Sequence, residues 1–231
     1  MNTLTKDWNR HVTHAEEIAR GPGFQDLRDR IIELAAPQAG EVAVDVGSGT
    51  GLLSLTLAEH VEQVWAIDIS SSMAEYLRTK AASAGLDNIQ AAVASAVSLP
   101  LVDESVDLVV SNYCFHHVDA DDKRRALREV MRVLRPGGRL VFGDMMFELA
   151  VGDLRNRAVV SGKVGAMLRK GPSGVARLAK NGLRIAVGQW ERPAAADWWS
   201  CALADEGFVD VAVTVLDHEG GVATARRPLR Y

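Results

Sequence analysis

The sequence has 231 residues, of which 48% are hydrophobic and 24% are charged, so it is long enough for one domain with a substantial buried core. The net charge of −4 gives no general reason to expect a nucleic-acid partner, and the two cysteines, Cys114 and Cys201, provide neither a disulfide framework nor a zinc site. No apolar run is long enough to span a membrane, and the N-terminal residues lack the apolar centre of a signal peptide, so we expect a cytoplasmic protein.

The first segment, residues 2–23, is polar and predicts a short helix. His11 and His14 lie on one side of that helix, but nothing in the sequence marks a third ligand, so we do not expect a metal site there. The sequence GPG at 21–23 ends the segment, and a more strongly amphipathic helix follows from Phe24.

An apolar strand, a glycine-rich turn and an apolar helix follow one another in the range 42–58. The run VAVDV is typical of a strand buried on both faces, as in a parallel sheet. Gly47, Gly49 and Gly51 allow the backbone to turn sharply and to approach a ligand that a Cβ atom would block. The helix that begins near Thr50 would direct free N–H groups at the crevice beside the carboxyl ends of the strands. This stretch therefore predicts a site for a nucleotide-like ligand.

The spacing of the glycines distinguishes among nucleotide ligands. Dinucleotide-binding turns have the pattern G-x-G-x-x-G, whereas this turn reads GSGTG and has Leu52 where the third glycine would fall. The next predicted strand, residues 63–69, carries Asp68 near its end, where a carboxylate can accept hydrogen bonds from both hydroxyls of a ribose. Asp68 is also well placed to cap the helix that follows, and the two roles are compatible.

The middle of the chain continues the alternation of helices and strands. Helices are predicted at 73–84 and 123–134, and strands at 88–93, 106–111 and 139–144. Gly85 closes the first of these helices, and the sequence RPGG stops the second. Asp144 ends the last strand, on the same rim of the sheet as Asp68 and His116.

The segment 147–192 departs most from a minimal α/β domain. Its residues 151–192 include nine basic and two acidic side chains, interleaved with apolar residues at roughly helical spacing. One interpretation is a lid over the substrate, whose positive face favours an anionic or membrane-presented molecule. The other is a solvated helical cap or a dimer contact whose charges maintain solubility, and the sequence leaves both open.

The last part of the chain predicts a helix at 193–206, with a proline at its start, and two strands at 208–216 and 222–226. Trp198 and Trp199 are adjacent, so they cannot both face the core. The short connection between the two strands predicts an antiparallel hairpin at the edge of the sheet.

Four segments together resemble class I S-adenosylmethionine-dependent methyltransferases: VDVGSGTG, AIDIS, SLPLVDESVDLVVSNYCFHHV and LREVMRVLRPGGRLVFGDM. The resemblance covers roughly residues 40–145 and the C-terminal hairpin. It implies an α/β, Rossmann-like fold with a seven-stranded, mostly parallel sheet, an antiparallel C-terminal hairpin and helices on both faces. We expect a single domain, 1–231, with an N-terminal lid helix (1–23), a cofactor-binding core (24–146), a helical cap insertion (147–192) and a last helix and hairpin (193–231). A packing helix with exposed histidines is the alternative for residues 1–23.

The resemblance implies that the chain binds S-adenosyl-L-methionine and releases S-adenosyl-L-homocysteine. The residues that match the cofactor motifs of the family are Asp45, Gly47, Ser48, Gly49, Gly51, Asp68, Ile69, Met73, Ser95, Ala96, Ser111 and Asn112. In the family, an acidic residue after the third strand commonly accepts a bond from the adenine amino group, and Ser95-Ala96 stands there instead. A serine accepts without charge assistance, so we expect backbone amides near Ala96 to carry much of the adenine recognition.

The resemblance also places the loop after the fourth strand beside the methyl acceptor, which makes His116 and His117 candidate catalytic residues. A histidine there can take a proton from a hydroxyl during attack on the methyl group, or it can pack and bond the backbone. Asp144 is a candidate partner for a histidine or a ligand for the acceptor. Magnesium bridged by Asp119, Asp122 and Asp144 is an alternative, over which we favour capping of the following helix by the acidic residues near its start.

We therefore expect methyl transfer to a small molecule, at a hydroxyl or amine of a metabolite, sugar or natural product. A lipid or quinone acceptor is an alternative, favoured by peripheral membrane contact through the basic segment 151–192. A macromolecular acceptor and a non-catalytic cofactor-binding scaffold are further alternatives, and the overall charge disfavours nucleic acid. A homo-oligomer is compatible with the sequence.

Overall fold

Strands and helices alternate along the chain in a computed structural model that describes residues 8–147, 192–216 and 219–230, and some of the positions between 161 and 179. Strands β1 to β7 span Val42–Val46, Gln63–Asp68, Ile89–Val93, Val106–Asn112, Leu134–Met145, Val209–Val215 and Gly220–Arg226. Helices α1 to α6 span Val12–Ala19, Pro22–Ala35, Leu52–Ala58, Ser71–Ser83, Ala120–Val133 and Ala196–Asp205. Two short 3-10 helices lie at Trp8–Arg10 and Phe115–His117.

The strands form one sheet in the order β3-β2-β1-β4-β5-β7-β6. Strands β1 to β5 pair in parallel, and β7 runs antiparallel to both β5 and β6. The order reverses between β1 and β4, and the loops that leave two such strands diverge and open a crevice at the carboxyl ends. The predicted Rossmann-like sheet with an antiparallel C-terminal hairpin is confirmed.

Apolar side chains cover both faces of the sheet. On one face, α2 and α3 contribute Leu27 and Leu53 to a core cluster. On the other face, α5 and α6 contribute Leu127 and Trp199. Trp199 is buried whereas its neighbour Trp198 is only partly buried, so the two tryptophans occupy different environments, as their adjacency predicts.

Three predicted element boundaries are wrong by three or more positions. Helix α5 begins at Ala120 because Asp119 caps it, with its carboxylate accepting the N–H of Asp122 at 2.9 Å. Helix α6 begins at Ala196 rather than at 193, since residues 192–195 are not helical. Strand β5 already begins at Leu134, so the sequence RPGG lies within it instead of before it.

Most of the predicted cap insertion, 147–192, lies outside the described residues. The positions described between 161 and 179 are helical except at 169 and 171, which are in turns. Within the described part of the chain, no helix combines the length and the apolarity that a membrane crossing requires.

Candidate active site

The glycine-rich turn between β1 and α3 borders the crevice. Gly47 and Gly51 have φ angles of +73° and +90°, and a Cβ atom on them would collide with the side chains of Cys114 and Leu77 respectively. Gly49 also has a positive φ of +52°, yet a Cβ atom there would meet nothing within 4 Å. The outer glycines therefore permit close packing inside the protein, and the middle one leaves room for a ligand to approach the backbone.

Asp68 ties the glycine-rich turn to the end of β2. Its Oδ2 accepts the N–H of Gly49 and its Oδ1 accepts the N–H of Ser70, both at 2.8 Å. The residue that caps α4 is Ser70, whose hydroxyl accepts the N–H of Met73, so Asp68 does not have the alternative role of helix cap. Burial raises the pKa of Asp68, and the backbone bonds oppose that effect. Each oxygen keeps a further lone pair with which it can accept from a ligand.

Asp45, near the end of β1, is almost fully buried. Its Oδ2 accepts a hydrogen bond from the Ser54 hydroxyl at 2.6 Å. Burial raises the pKa of Asp45 to about 7. The carboxyl is therefore poised between its neutral and charged forms near neutral pH, and a cationic ligand group close to it would favour the charged form.

Two of the predicted cofactor residues carry buried polar atoms without a partner. Among the described residues, the buried side-chain atoms that lack a hydrogen bond are Ser48 Oγ, Asn112 Oδ1 and Trp199 Nε1. Ser48 lies in the glycine-rich turn and Asn112 ends β4, so both border the crevice. Buried polar atoms are nearly always bonded in native proteins, and this pair therefore fits a polar ligand that supplies the missing partners.

The other residues matched to the cofactor motifs differ in what they offer a ligand. Ile69 is 53% exposed beside the end of β2 and presents an apolar surface, whereas Met73 is buried. The hydroxyl of Ser111 donates to the carbonyl of Val46 at 2.7 Å inside the sheet. The hydrogen of the Ser111 hydroxyl is therefore engaged inside the sheet.

The turn after β3 is fastened next to Asp68. The N–H of Ala94 donates to the carbonyl of Asp68 at 3.0 Å. The Ser95 hydroxyl accepts a long bond, 3.4 Å, from the N–H of Val97 within the same turn. Ala96 is partly buried against the core. This turn therefore lies on the rim that the sequence predicts, and the Ser95 hydroxyl is already engaged with its own backbone.

His116 and Asp144 form a buried pair. The His116 Nδ1 and Asp144 Oδ1 atoms are 2.6 Å apart, and Asp144 Oδ2 accepts the backbone N–H of His116 at 3.0 Å. The side chains are 4% and 1% exposed. A carboxylate at Nδ1 favours the tautomer with its proton on that nitrogen, which leaves Nε2 to accept a proton. This arrangement is that of a histidine base oriented by a carboxylate.

His117 lies in a row of rings that ends at the N-terminal segment. Its ring centroid is 3.8 Å from that of His116 and 4.6 Å from that of Trp8. Trp8 also contacts His11 edge-on at 6.1 Å. The N-terminal segment thus reaches the loop that carries the histidines.

The same segment also contacts the opposite side of the crevice. Asn9 Oδ1 accepts from the Ser70 hydroxyl at 2.7 Å and from the N–H of Ser72 at 3.1 Å. Trp8 and Asn9 therefore join the histidine loop to the start of α4, which agrees with a lid. Neither of these two contacts carries a signal in the sequence, because His117 and Ser70 lie more than sixty positions from Trp8 and Asn9.

Glu16 on α1 is a further residue that sequence reasoning missed. Its carboxylate binds Lys80 Nζ at 3.0 and 3.1 Å, and Lys80 also donates to the carbonyl of Thr50 in the glycine-rich turn at 3.4 Å. Burial opposes ionisation of Glu16, but the bonds from Lys80 and Thr50 outweigh it and lower the pKa of the carboxyl. Helix α1 is therefore anchored to the glycine-rich turn through Lys80.

Lys123 is a further residue that the sequence analysis did not single out. It lies on the buried face of α5, together with Ala126, Leu127 and Val130. Those positions share the i, i+3, i+4, i+7 spacing, so a lysine among them could have been recognised as a buried cation.

No group of three or more histidine, cysteine, aspartate or glutamate side chains able to hold a metal ion occurs among the described residues. Asp119 and Asp122 are bonded to each other through the helix cap, and Asp144 is bonded to His116. The alternative of a magnesium bridge across these three residues therefore has no support in their contacts.

Comparisons with known proteins find methyltransferases among the relatives of this chain. A family model for the methyltransferase domain matches residues 44–142. An uncharacterised methyltransferase of Geobacillus kaustophilus is 36% identical over 123 residues, which cover 52% of this chain and 54% of that protein. A malonyl-[acyl-carrier protein] O-methyltransferase of Methylococcus capsulatus is 44% identical over 101 residues, 43% of this chain and 35% of that protein. The chain thus spans about half the length, or less, of these curated relatives.

A solved structure extends the likeness to nearly the whole chain. An S-adenosylmethionine-dependent methyltransferase from Aquifex aeolicus superposes with a TM-score of 0.66 at 19% identity, covering 94% of this chain and 98% of the other. At that identity the superposition shows the fold.

Proposed function

We propose that the chain is a class I S-adenosylmethionine-dependent methyltransferase, since residues 44–142 match the family model of the methyltransferase domain, and that it transfers a methyl group from S-adenosyl-L-methionine to a small molecule. The observation that carries the proposal is the composition of one rim of the sheet. There, Asp68, Ser48 and Asn112 offer acceptors and unpaired polar atoms to a ligand, and the His116–Asp144 pair follows the next strand.

The residues of the rim fit the cofactor in their chemistry. Asp68 would accept from ribose hydroxyls, and the open backbone at Gly49 would allow close approach. Ser48 and Asn112 would bond the polar methionine end, and Asp45 would favour its ammonium group. When bound, the cofactor supplies a methyl group on a positively charged sulfur, which is already a strong electrophile. The protein has mainly to position the acceptor and exclude water.

His116 has the role of general base in this proposal. Its Nε2 takes the proton of an acceptor hydroxyl or amine as that atom attacks, while Asp144 holds the ring through Nδ1. The carboxylate also stabilises the imidazolium that results. His117 and Trp8 lie beside this base, so the N-terminal segment would shield the reacting atoms from water.

The acceptor class follows from this base and from one relative. A neutral imidazole suits a hydroxyl or an amine, whose proton must leave during methylation. The Methylococcus capsulatus relative is named an O-methyltransferase, which favours oxygen as the acceptor atom. We therefore propose a metabolite, sugar or natural product with a hydroxyl group or an amine.

A lipid or quinone is the second candidate acceptor. The observation that favours it is the basic and apolar composition of residues 151–192, with nine basic and two acidic side chains. Such a segment would hold the protein at an anionic membrane surface. Co-sedimentation with anionic liposomes, lost at high salt, would support this alternative.

Calorimetry tests cofactor binding. Titration with S-adenosyl-L-homocysteine should show one site. Asp68→Ala should weaken it by at least about tenfold, because it removes acceptors for the ribose and a bond to the glycine-rich turn. Asp87→Ala, at an exposed carboxylate, is the matched control and should not change the affinity. No binding of donor or product to the unaltered protein would contradict the proposal.

A second experiment identifies the acceptor. The protein is incubated with methyl-labelled donor and an extract of its source, and the label is followed into organic, aqueous small-molecule and macromolecular fractions. Label among aqueous metabolites is expected. Label in the organic phase would favour the lipid or quinone alternative, and cofactor binding without transfer in any fraction would favour a non-catalytic scaffold.

A further inference from the structure

Lys123 is a buried lysine in the first turn of α5, 2% exposed. Its Nζ donates to the carbonyl of Val118 at 2.6 Å and to the carbonyl of Arg192 at 2.7 Å. Among the described residues no carboxylate forms an ion pair with it, so backbone carbonyls hold the charge. Burial lowers the pKa of Lys123 to about 8, and the charges of Asp144 and Asp119 partly oppose that effect. Burial of an ammonium group without an ion-pair partner costs free energy, which indicates a specific role for Lys123.

Arg192 is an exposed residue just before α6 whose backbone contacts both Lys123 and His116. Its backbone N–H donates to the carbonyl of His116 at 2.7 Å, and its own carbonyl is the one that Lys123 binds. The backbone of one residue is thus held from both sides. The guanidinium of Arg192 takes no part, since it pairs with Asp119 at the surface at 3.3 Å.

His116 is restrained by these contacts and by Asp144. Asp144 binds both the ring Nδ1 and the backbone N–H of His116, while Arg192 binds its carbonyl. The orientation of the His116 ring therefore depends on the position of the 3-10 helix Phe115–His117 between Asp144 and Arg192. An apolar residue in place of Lys123 would leave the carbonyls of Val118 and Arg192 without this donor. The contact between Arg192 and the 3-10 helix would then be less restrained.

We propose that Lys123 is a positioning residue, which holds the backbone of Arg192 against His116 and so fixes the orientation of the base. The inference rests on the proposed function only in treating His116 as that base. Lys123 acts through Arg192 and contacts neither substrate. Its loss should disturb the His116–Asp144 pair and leave cofactor binding intact.

The test observes the His116 ring by NMR in the full chain, labelled with ¹⁵N-histidine. The readout is the exchange with water of the Nδ1 proton that bridges to Asp144, assigned by its loss in His116→Gln. In Lys123→Met, which removes every donor, we expect this exchange to accelerate by on the order of tenfold or more. The affinity for S-adenosyl-L-homocysteine should stay within about threefold of the unaltered protein.

Two variants are matched controls. Arg192→Ala removes the guanidinium but keeps both backbone groups that form the clamp. Arg124→Met removes a cation from the next position of α5, where it pairs with Asp205 at 3.0 Å. Both should leave the exchange of the Nδ1 proton unchanged. Acceleration in either control equal to that in Lys123→Met would overturn the proposal.

A purely structural role for Lys123 predicts a lower melting temperature for Lys123→Met with an undisturbed Nδ1 proton, and that result overturns the proposal.

Amide exchange in the unmutated protein is independent of whether the variant folds. The amides of His116 and Arg192 should exchange within about tenfold of each other, because they open as one unit. Much faster exchange at Arg192 overturns the coupling. Absence of S-adenosyl-L-homocysteine binding would contradict the proposed function and leave these readouts valid.

Discussion

Two carboxylates on the rim of the sheet are buried, and different hydrogen bonds compensate each of them for the loss of water. Asp68 receives two backbone N–H groups, from Gly49 and Ser70, whereas Asp45 is more deeply buried and receives the hydroxyl of Ser54. One hydroxyl does not offset the loss of water around a charge, so the pKa of Asp45 rises to about 7. Asp45 is therefore a residue at which proton binding and folding are linked, and under the proposed function cofactor binding is linked to both.

Asp45→Asn should stabilise the protein in a pH-dependent way. Because the folded pKa is about 7 and the ordinary value is 3.8, Asp45 lowers the free energy of unfolding progressively as pH rises from about 4 to 7. The variant lacks this cost, which is on the order of 4 kcal/mol at its limit. Urea unfolding should show a gain over the unaltered protein that is larger at pH 8 than at pH 5 by roughly 3 kcal/mol. Asp87→Asn is the control, and an equal gain at both pH values would contradict the prediction.

At the scale of elements, the N-terminal segment is attached to three parts of the crevice. Trp8 contacts the ring of His117, Asn9 binds the start of α4, and Glu16 binds Lys80 beside the glycine-rich turn. The last of these contacts is a partly buried ion pair, in which the Glu16 side chain is 11% exposed. We expect this ion pair to govern how firmly the segment covers the cofactor cleft.

Glu16→Gln should loosen the segment without unfolding the core. The loss of the partly buried pair with Lys80 should cost about 1 kcal/mol of local stability. Deuterium exchange in residues 8–20 should accelerate, and the affinity for S-adenosyl-L-homocysteine should fall several-fold. Because the pKa of Glu16 is lowered by its partners, its contribution is present above about pH 4.5 and is lost as the carboxyl protonates below it.

Glu17→Gln is the matched control for this change. Glu17 is the next residue of α1, 72% exposed, and its nearest partner is His14 at 3.8 Å. Its loss should change neither exchange nor affinity. The idea of a lid fastened by Glu16 fails if the two variants behave alike.

The elements whose signals are local could be predicted from the sequence, and contacts between distant residues could not. The strands, the turn at Gly49 and the acidic end of β2 follow from neighbouring residues, and the structure places them together. The start of α5 was misjudged by three positions because the cap is Asp119. The bond from Lys123 to Arg192 joins residues 69 positions apart, and no local pattern encodes it.

At the scale of the whole molecule, the cleft is assembled from the ends of β1, β2 and β4, which lie side by side in the sheet. A ligand that contacts all three connects the central strands, so its binding should stabilise the folded chain as one unit. Mass action sets the size of the effect, about 2.7 kcal/mol at a ligand concentration of 100 times the dissociation constant. The size of this stabilisation in a variant therefore distinguishes residues that contribute to ligand binding from residues that contribute only to folding.

Gly49 and Gly85 provide a matched pair for that separation. Both have positive φ, +52° and +71°, and a Cβ atom on either would meet nothing within 4 Å, so Gly→Ala should cost each about 1 kcal/mol of stability from backbone strain. Gly49 borders the cleft whereas Gly85 closes α4 away from the glycine-rich turn. Saturating S-adenosyl-L-homocysteine should therefore raise the melting temperature of Gly85→Ala by as much as that of the unaltered protein. Gly49→Ala should lose most of this rise, because its methyl group occupies the space left for the ligand, and an undiminished rise would show that the cofactor binds elsewhere.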